Sequence, residues 1–201
     1  MDKKKYLSIK YLMIDNTYFN QIFKQDVFAF STFRDGNGTV SKDDKHMLEY
    51  RAVKAFRKYQ SNYNTIWRYF YSLQLRYFQY KYGMEIANLT IGKGFVIGHW
   101  GRIVINGESK IGEQFMVTHG VTIGRDIRGK RKGVPTIGNR VAVRANSTIV
   151  GNIHIGDDVL IAPNTFVNFD VPSNSIVIGN PAKIISRENA SEGHVGKLLE
   201  E

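Results

Sequence analysis

The chain has 201 residues, enough for one domain of ordinary size or for a small domain with a helical appendage. It contains no cysteine, which excludes disulfides, thiolate metal sites and a cysteine nucleophile. Lys and Arg outnumber Asp and Glu by 28 to 18, a formal charge of +10 that favours anionic partners; no RNA-recognition signature, zinc spacing or helix-turn-helix pattern accompanies that charge, so nucleic acid is not an expected partner.

The opening segment, MDKKKYLSIKYLMIDNTYF, has a basic cluster, but Lys10 and Asp15 interrupt the apolar stretch that a secretory signal needs. No later segment approaches the roughly eighteen uncharged apolar residues of a membrane span, and the expectation is a soluble, cytoplasmic protein. Residues 1–30 read as helical, and FRDGNGTV at 33–40 reads as a turn-rich loop. A calcium loop starting at Asp35 and using Asn37 fails on chemistry: its sixth position is Val40 rather than glycine, and its twelfth is His46 rather than glutamate. From Ser41, which makes an N-cap with Asp44, to Tyr82 the pattern predicts two helices, the second closed by Gly83. The dense aromatics of 67–82 suit packing on a neighbouring helix, and their Arg and Lys interleaving also leaves open a peripheral contact with a membrane surface.

After Gly83 the period changes to six. Branched apolar residues recur at Ile91, Ile97 and Ile103, then at Ile105, Ile111, Val117 and Ile123, then at Ile137, Val143, Ile149, Ile155, Ile161 and Val167. The first break inserts two residues near Asn106, and the second inserts eight within GRDIRGKRKGVPT. Glycine follows the apolar residue at 92, 98, 112, 124, 138 and 156, which suits tight corners between short strands. A hexapeptide period predicts a β-helix whose coils stack into one continuous core. The expected division is a helical region over 1–83, the β-helix over 84–186 and a tail over 187–201. With three hexads per coil, the two insertions bring His99, His119, Ala145 and Pro163 into one column, each two places after its apolar anchor.

The stretches IGKGFVIGHWGRIVINGESKIGEQFMVTHGVTIG, IGNRVAVRANSTIVGNIHIGDDVLIAPNTFV and IVIGNPAKII resemble the hexapeptide-repeat acyltransferases over roughly residues 83–186, specifically the serine acetyltransferase branch with its polysaccharide O-acetyltransferase relatives. The resemblance implies a left-handed parallel β-helix, a homotrimer, and acetyl-CoA bound between neighbouring chains as the acetyl donor, with no metal. It implies His99 as the general base that takes a proton from an acceptor hydroxyl, work that suits a group titrating near neutrality. It also implies cofactor-binding positions at His119, Gly124, Ala145, Pro163 and Lys183; Pro163 has no amide hydrogen to offer, and Lys183 and His119 have structural readings as well.

In the serine enzymes an Asp fifteen residues before the histidine orients it. That place is Met84 here, with Glu85 beside it as the candidate carboxylate through a one-residue change of register. The family's Asp just before the histidine is Gly98, and its Arg-His-Pro at the end of the extended loop is Gly133-Val134-Pro135, so the anchors for an amino acid are missing. Trp100 offers an aromatic face for a sugar, or packing at a chain contact. The favoured expectation is therefore an O-acetyltransferase acting on a sugar or glycan of surface polysaccharide synthesis. The alternatives are a serine O-acetyltransferase of cysteine biosynthesis and a non-catalytic trimeric β-helix scaffold. The basic loop with Arg125, Arg128, Lys130, Arg131 and Lys132 is either solvated or directed at phosphates. His154 falls on another face, and His46 and His194 carry no motif.

Overall fold

The computed structural model of the protein describes residues 16–62, 65–86 and 89–200; the first fifteen residues of the segment expected to be helical lie outside them. Helix α1, Thr17–Phe33, turns Phe19, Phe23 and Phe30 inward. The loop that follows leads to Ser41, whose hydroxyl accepts from the Asp44 amide at 3.1 Å while Asp44 Oδ2 accepts from the Ser41 amide at 2.9 Å. This capping box starts only a single turn, α2, Lys42–His46. Met47 is extended at φ −61° and ψ 142°, and α3, Leu48–Ser61, starts afresh. The segment expected as two helices is therefore three. The redirection at half-buried Met47 lets Tyr50, Val53 and Phe56 of α3 face inward. Helix α4, Trp67–Tyr82, ends on Gly83 at φ 69°, a left-handed position that glycine takes without steric cost. Packing accounts for one face of α4, where Leu75 and Phe78 are buried; Tyr69, Phe70, Leu73, Tyr77 and Tyr80 lie exposed. Among the described residues no helix is long and apolar enough to cross a membrane.

The rest of the chain is a left-handed parallel β-helix of about five coils. Its faces are three sheets built from strands of two to five residues. One face stacks β1 (Met84–Glu85), β4 (Ile103–Ile105), β7 (Thr122–Gly124), β10 (Thr148–Val150) and β13 (Phe166–Val167). The second stacks β2 (Thr90–Ile91), β5 (Lys110–Ile111), β8 (Thr136–Ile137) and β11 (His154–Ile155). The third stacks β3 (Val96–Ile97), β6 (Met116–Val117), β9 (Val141–Val143), β12 (Val159–Ile161) and β14 (Ser175–Gly179), with β15 (Ala182–Ser186) folded back antiparallel on β14. All thirteen apolar anchors of the six-residue pattern, Ile91 through Val167, are buried. In the regular coils Ile137 lies beside Ile155, Val143 beside Ile161 and Ile149 beside Val167, each pair eighteen residues apart. Each coil buries one apolar ring on the next, the cooperative packing that a solenoid needs.

The two insertions have different outcomes. Ile97 pairs with Val117, and Val104 pairs with Thr122, so the two extra residues lie between 97 and 104. They widen the corner carrying His99, Trp100 and Gly101 rather than the turn near Asn106. The eight-residue insertion leaves β7 as a hairpin-like loop, closed by paired amide–carbonyl bonds of 2.9 Å between Asp126 and Gly133.

The first coil is closed by the helical region. Arg57 is fully buried and grips Asp26 through two bonds, Nε to Oδ2 at 2.7 Å and Nη2 to Oδ1 at 3.1 Å. Arg57 also donates to the Ile91 carbonyl at 2.8 Å and to that of Gly92, while Asp26 accepts from the Gly94 and Phe95 amides at 2.9 Å. Backbone groups that have no coil above them are thus satisfied by one ion pair, which is itself paired on every side. At the far end Asp158 accepts from the Ala190 amide and from the Ser191 amide and hydroxyl, at 2.7–3.1 Å. From there the tail returns along the coils to α1, where Lys197 N–H donates to Thr32 and Leu199 exchanges bonds with Gln25.

Candidate active site

The strand registers build the lower column: Val117 beside Val143 sets His119 beside Ala145, and Val143 beside Ile161 sets Ala145 beside Pro163. Above it the widened corner lays Gly101 against His119, with the Gly120 amide donating to the Arg102 carbonyl, and turns the His99 ring toward that of His119. The lower part is closed by backbone bonds: the Asn146 amide donates to the His119 carbonyl at 3.1 Å and the Asn164 amide to the Ala145 carbonyl at 2.9 Å. His99 and His119 are both exposed, with ring centroids 6.1 Å apart and planes at 65°. Two imidazoles therefore stand side by side above a small residue and a proline, at the corner between two sheets. A neutral imidazole open to solvent can accept a proton from a hydroxyl brought against it.

Trp100 is half exposed, its ring packed edge-on against Tyr82 with centroids 5.8 Å apart. Its backbone amide donates to Glu49 Oε1 at 3.1 Å. Glu49 lies on α3 and is only 4% exposed, so the helical region places a carboxylate at the residue next to His99. Gly98 is tightly enclosed: a Cβ there would lie 3.1 Å from both Phe33 Cζ and Thr118 Cγ2.

The other candidates fall elsewhere. Glu85 is exposed on β1, pairs in register with Val104, and lines a cleft with Arg76 and Gln79 of α4. No hydrogen bond joins it to His99. Gly124 ends β7 at the root of the basic loop, beside Val150. Lys183 is exposed on β15 opposite Ile178, next to the foot of the column, where register sets Gly179 beside Pro163. In the basic loop Arg125 pairs with Glu108 at 3.1 Å and Arg131 donates to the Asn168 carbonyl at 2.6 Å, while Arg128, Lys130 and Lys132 are exposed. His154 is exposed on a different sheet.

Glu49 is the functional candidate that the motif reading missed. A signal was present: Glu49, Val53, Phe56 and Arg57 follow helical spacing, which puts two charged residues on the apolar stripe of α3.

Fold and repeat define the class. Residues 135–168 match the family described as bacterial transferase hexapeptide (six repeats), in keeping with the six-residue repeat of the coils. The relatives it is similar to are serine acetyltransferases. The serine acetyltransferase of Helicobacter pylori strain ATCC 700392 / 26695 is 40% identical over 107 residues, which are 53% of this chain and 63% of the relative. Serine acetyltransferase 4 of Arabidopsis thaliana is 32% identical over 181 residues, 87% of this chain and 49% of that protein. The crystal structure of Neisseria gonorrhoeae serine acetyltransferase in complex with serine superposes with a TM-score of 0.72 at 26% identity, covering 83% of this chain and 69% of that one. The chain spans about half to two thirds of the length of the curated relatives it matches.

These findings correct the expectation of a sugar or glycan acceptor and of a role in polysaccharide synthesis: the relatives are serine acetyltransferases. That expectation rested on the missing anchor at Gly98 and on the free face of Trp100. The structure engages the Trp100 ring with Tyr82 and places a carboxylate from outside the repeat beside the same corner.

Proposed function

We propose that the protein transfers the acetyl group of acetyl-CoA to the hydroxyl of serine, with His99 as general base. The reading rests above all on the exposed imidazole of His99 at the widened corner of a hexapeptide coil, beside His119 and above Ala145 and Pro163. Its companion support is likeness to serine acetyltransferases. His99 accepts the hydroxyl proton as the serine oxygen attacks the thioester carbonyl; the C–S bond breaks, and the sulfur leaves and takes up a proton, giving O-acetylserine and free CoA. The thin pantetheine arm runs down the column past His119, Ala145 and Pro163, with Lys183 at its foot and Gly124 at the root of the neighbouring basic loop. Because Pro163 has no amide hydrogen, it contributes its surface and carbonyl rather than a donor. A donor cleft shared between chains calls for a homotrimer, and the use of acetyl-CoA calls for a cytoplasmic protein. Glu85 has no part in this proposal.

Release of CoA thiol from acetyl-CoA, followed with and without L-serine, tests the reading. Serine-dependent release is the expected result. Release that ignores serine overturns the acceptor, and no release with any acceptor leaves only the scaffold alternative.

A further inference from the structure

The serine reading needs a group that holds the acceptor's ammonium close to the base, because hydroxyl and ammonium sit on adjacent carbons of serine. Position 98 cannot easily supply it. Phe33 of α1 and Thr118 already fill the space around Gly98, and even a Cβ there meets both at 3.1 Å. The helical region that fills that space also sends Glu49 to the same corner. Its Oε1 accepts the amide hydrogen of Trp100, the residue following His99.

The second oxygen, Oε2, accepts from no described residue, and no described cation pairs with the carboxylate. Among the described residues the fully sealed side-chain polar atoms without a partner are Ser109 Oγ and Arg140 Nε, and Glu49 Oε2 is not one of them. A carboxylate that is 96% covered, half satisfied and without a cation is costly to maintain unless something pairs with it. A small cationic group arriving at the His99 corner is the natural partner, and a charge-assisted bond from it satisfies the remaining oxygen.

We infer that Glu49 is the acceptor-binding carboxylate of this protein, holding the serine ammonium through Oε2 while Oε1 fixes the Trp100 amide. This rests on the proposed serine O-acetyltransferase activity. It makes the helical region a part of the acceptor site rather than only a lid on the first coil, and Glu49 a determinant of specificity for amino-bearing hydroxyl compounds.

The test is Glu49→Gln in the full chain, assayed with L-serine and with 3-hydroxypropanoate, which keeps the hydroxyl and carboxylate of serine but lacks the ammonium. The glutamine keeps an oxygen for the Trp100 amide and removes the charge. The expected result is a rise of about ten- to a hundredfold in KM for serine, the range set by loss of one charge-assisted hydrogen bond. KM for acetyl-CoA stays unchanged, and the wild-type preference for serine over 3-hydroxypropanoate collapses. Because both acceptors are measured on one variant, a general folding defect depresses both equally and leaves the preference intact, which overturns the inference. Serine-dependent wild-type turnover with unaltered serine KM in the variant overturns the Glu49 assignment alone. Absence of serine-dependent turnover in the wild type overturns both the assignment and the activity on which it rests.

Discussion

The helical region and the coils obey different rules about charge. In the coils most charged side chains lie at the surface, as in the pair Arg125–Glu108 with side chains 43% and 62% exposed; the buried exception, Asp158, belongs to the last coils, where the tail caps them. In the helical region three charges go inward: Arg57 and Asp26 are 0% and 1% exposed, and Glu49 is nearly covered. A repeat buries one apolar residue per hexad and meets its backbone needs on the coil above and below. The first coil has no coil above it, so its backbone groups must be met by side chains from elsewhere. The contrast teaches that the specific polar chemistry of this molecule gathers where its periodicity stops.

The difference between the two ion pairs is open to measurement. Arg57→Ala leaves Asp26 buried without its cation and frees the Ile91 and Gly92 carbonyls; a loss of about 3–5 kcal/mol in equilibrium urea unfolding is expected. Arg125→Ala, which breaks an exposed pair, should cost under about 1 kcal/mol by the same method. Equal costs would erase the distinction between the regions.

The tail sharpens it further, with the smallest expected effect. Burial works to raise the Asp158 carboxyl, but the Ser191 hydroxyl and amide, the Ala190 amide and Arg140 outweigh burial and hold it below the usual carboxylate range. A depressed folded pKa means that the stabilisation is present above the ordinary aspartate range and is lost as pH falls through the folded value. The protection of the Ala190 and Ser191 amides from hydrogen exchange, measured relative to the intrinsic rate at each pH, should therefore fall on acidification into that range before that of the coil amides does. Asp158→Asn should show faster exchange at those amides already at neutral pH.

Much of the solenoid was legible in the sequence, because its core is written one residue per hexad: every anchor from Ile91 to Val167 is buried, and the spacing aligns His119 with Ala145 and Pro163, while His99 reaches His119 through its ring. The place of the two-residue insertion was not legible. Ile103 and Ile105 both face inward on β4, so the phase shift reads as though it followed Ile103 when the extra residues sit in the corner before it. The capping box at Ser41 was legible as a helix start, whereas the break at Met47 depends on packing against residues distant in sequence. Glu49 and Arg57 were the hardest to assign. A charged residue on a helical stripe looks solvated until its partners, Trp100 in one case and Asp26 with the first coil in the other, are brought to it by the fold.

The central claim is that the imidazole of His99 removes the proton from the acceptor hydroxyl. The most direct test is the rate of O-acetylserine formation by His99→Ala beside wild type at equal protein concentration, with assembly state checked by light scattering. A fall of about 10²- to 10⁴-fold with assembly unchanged is the predicted result, and turnover within a few-fold of wild type would contradict the account.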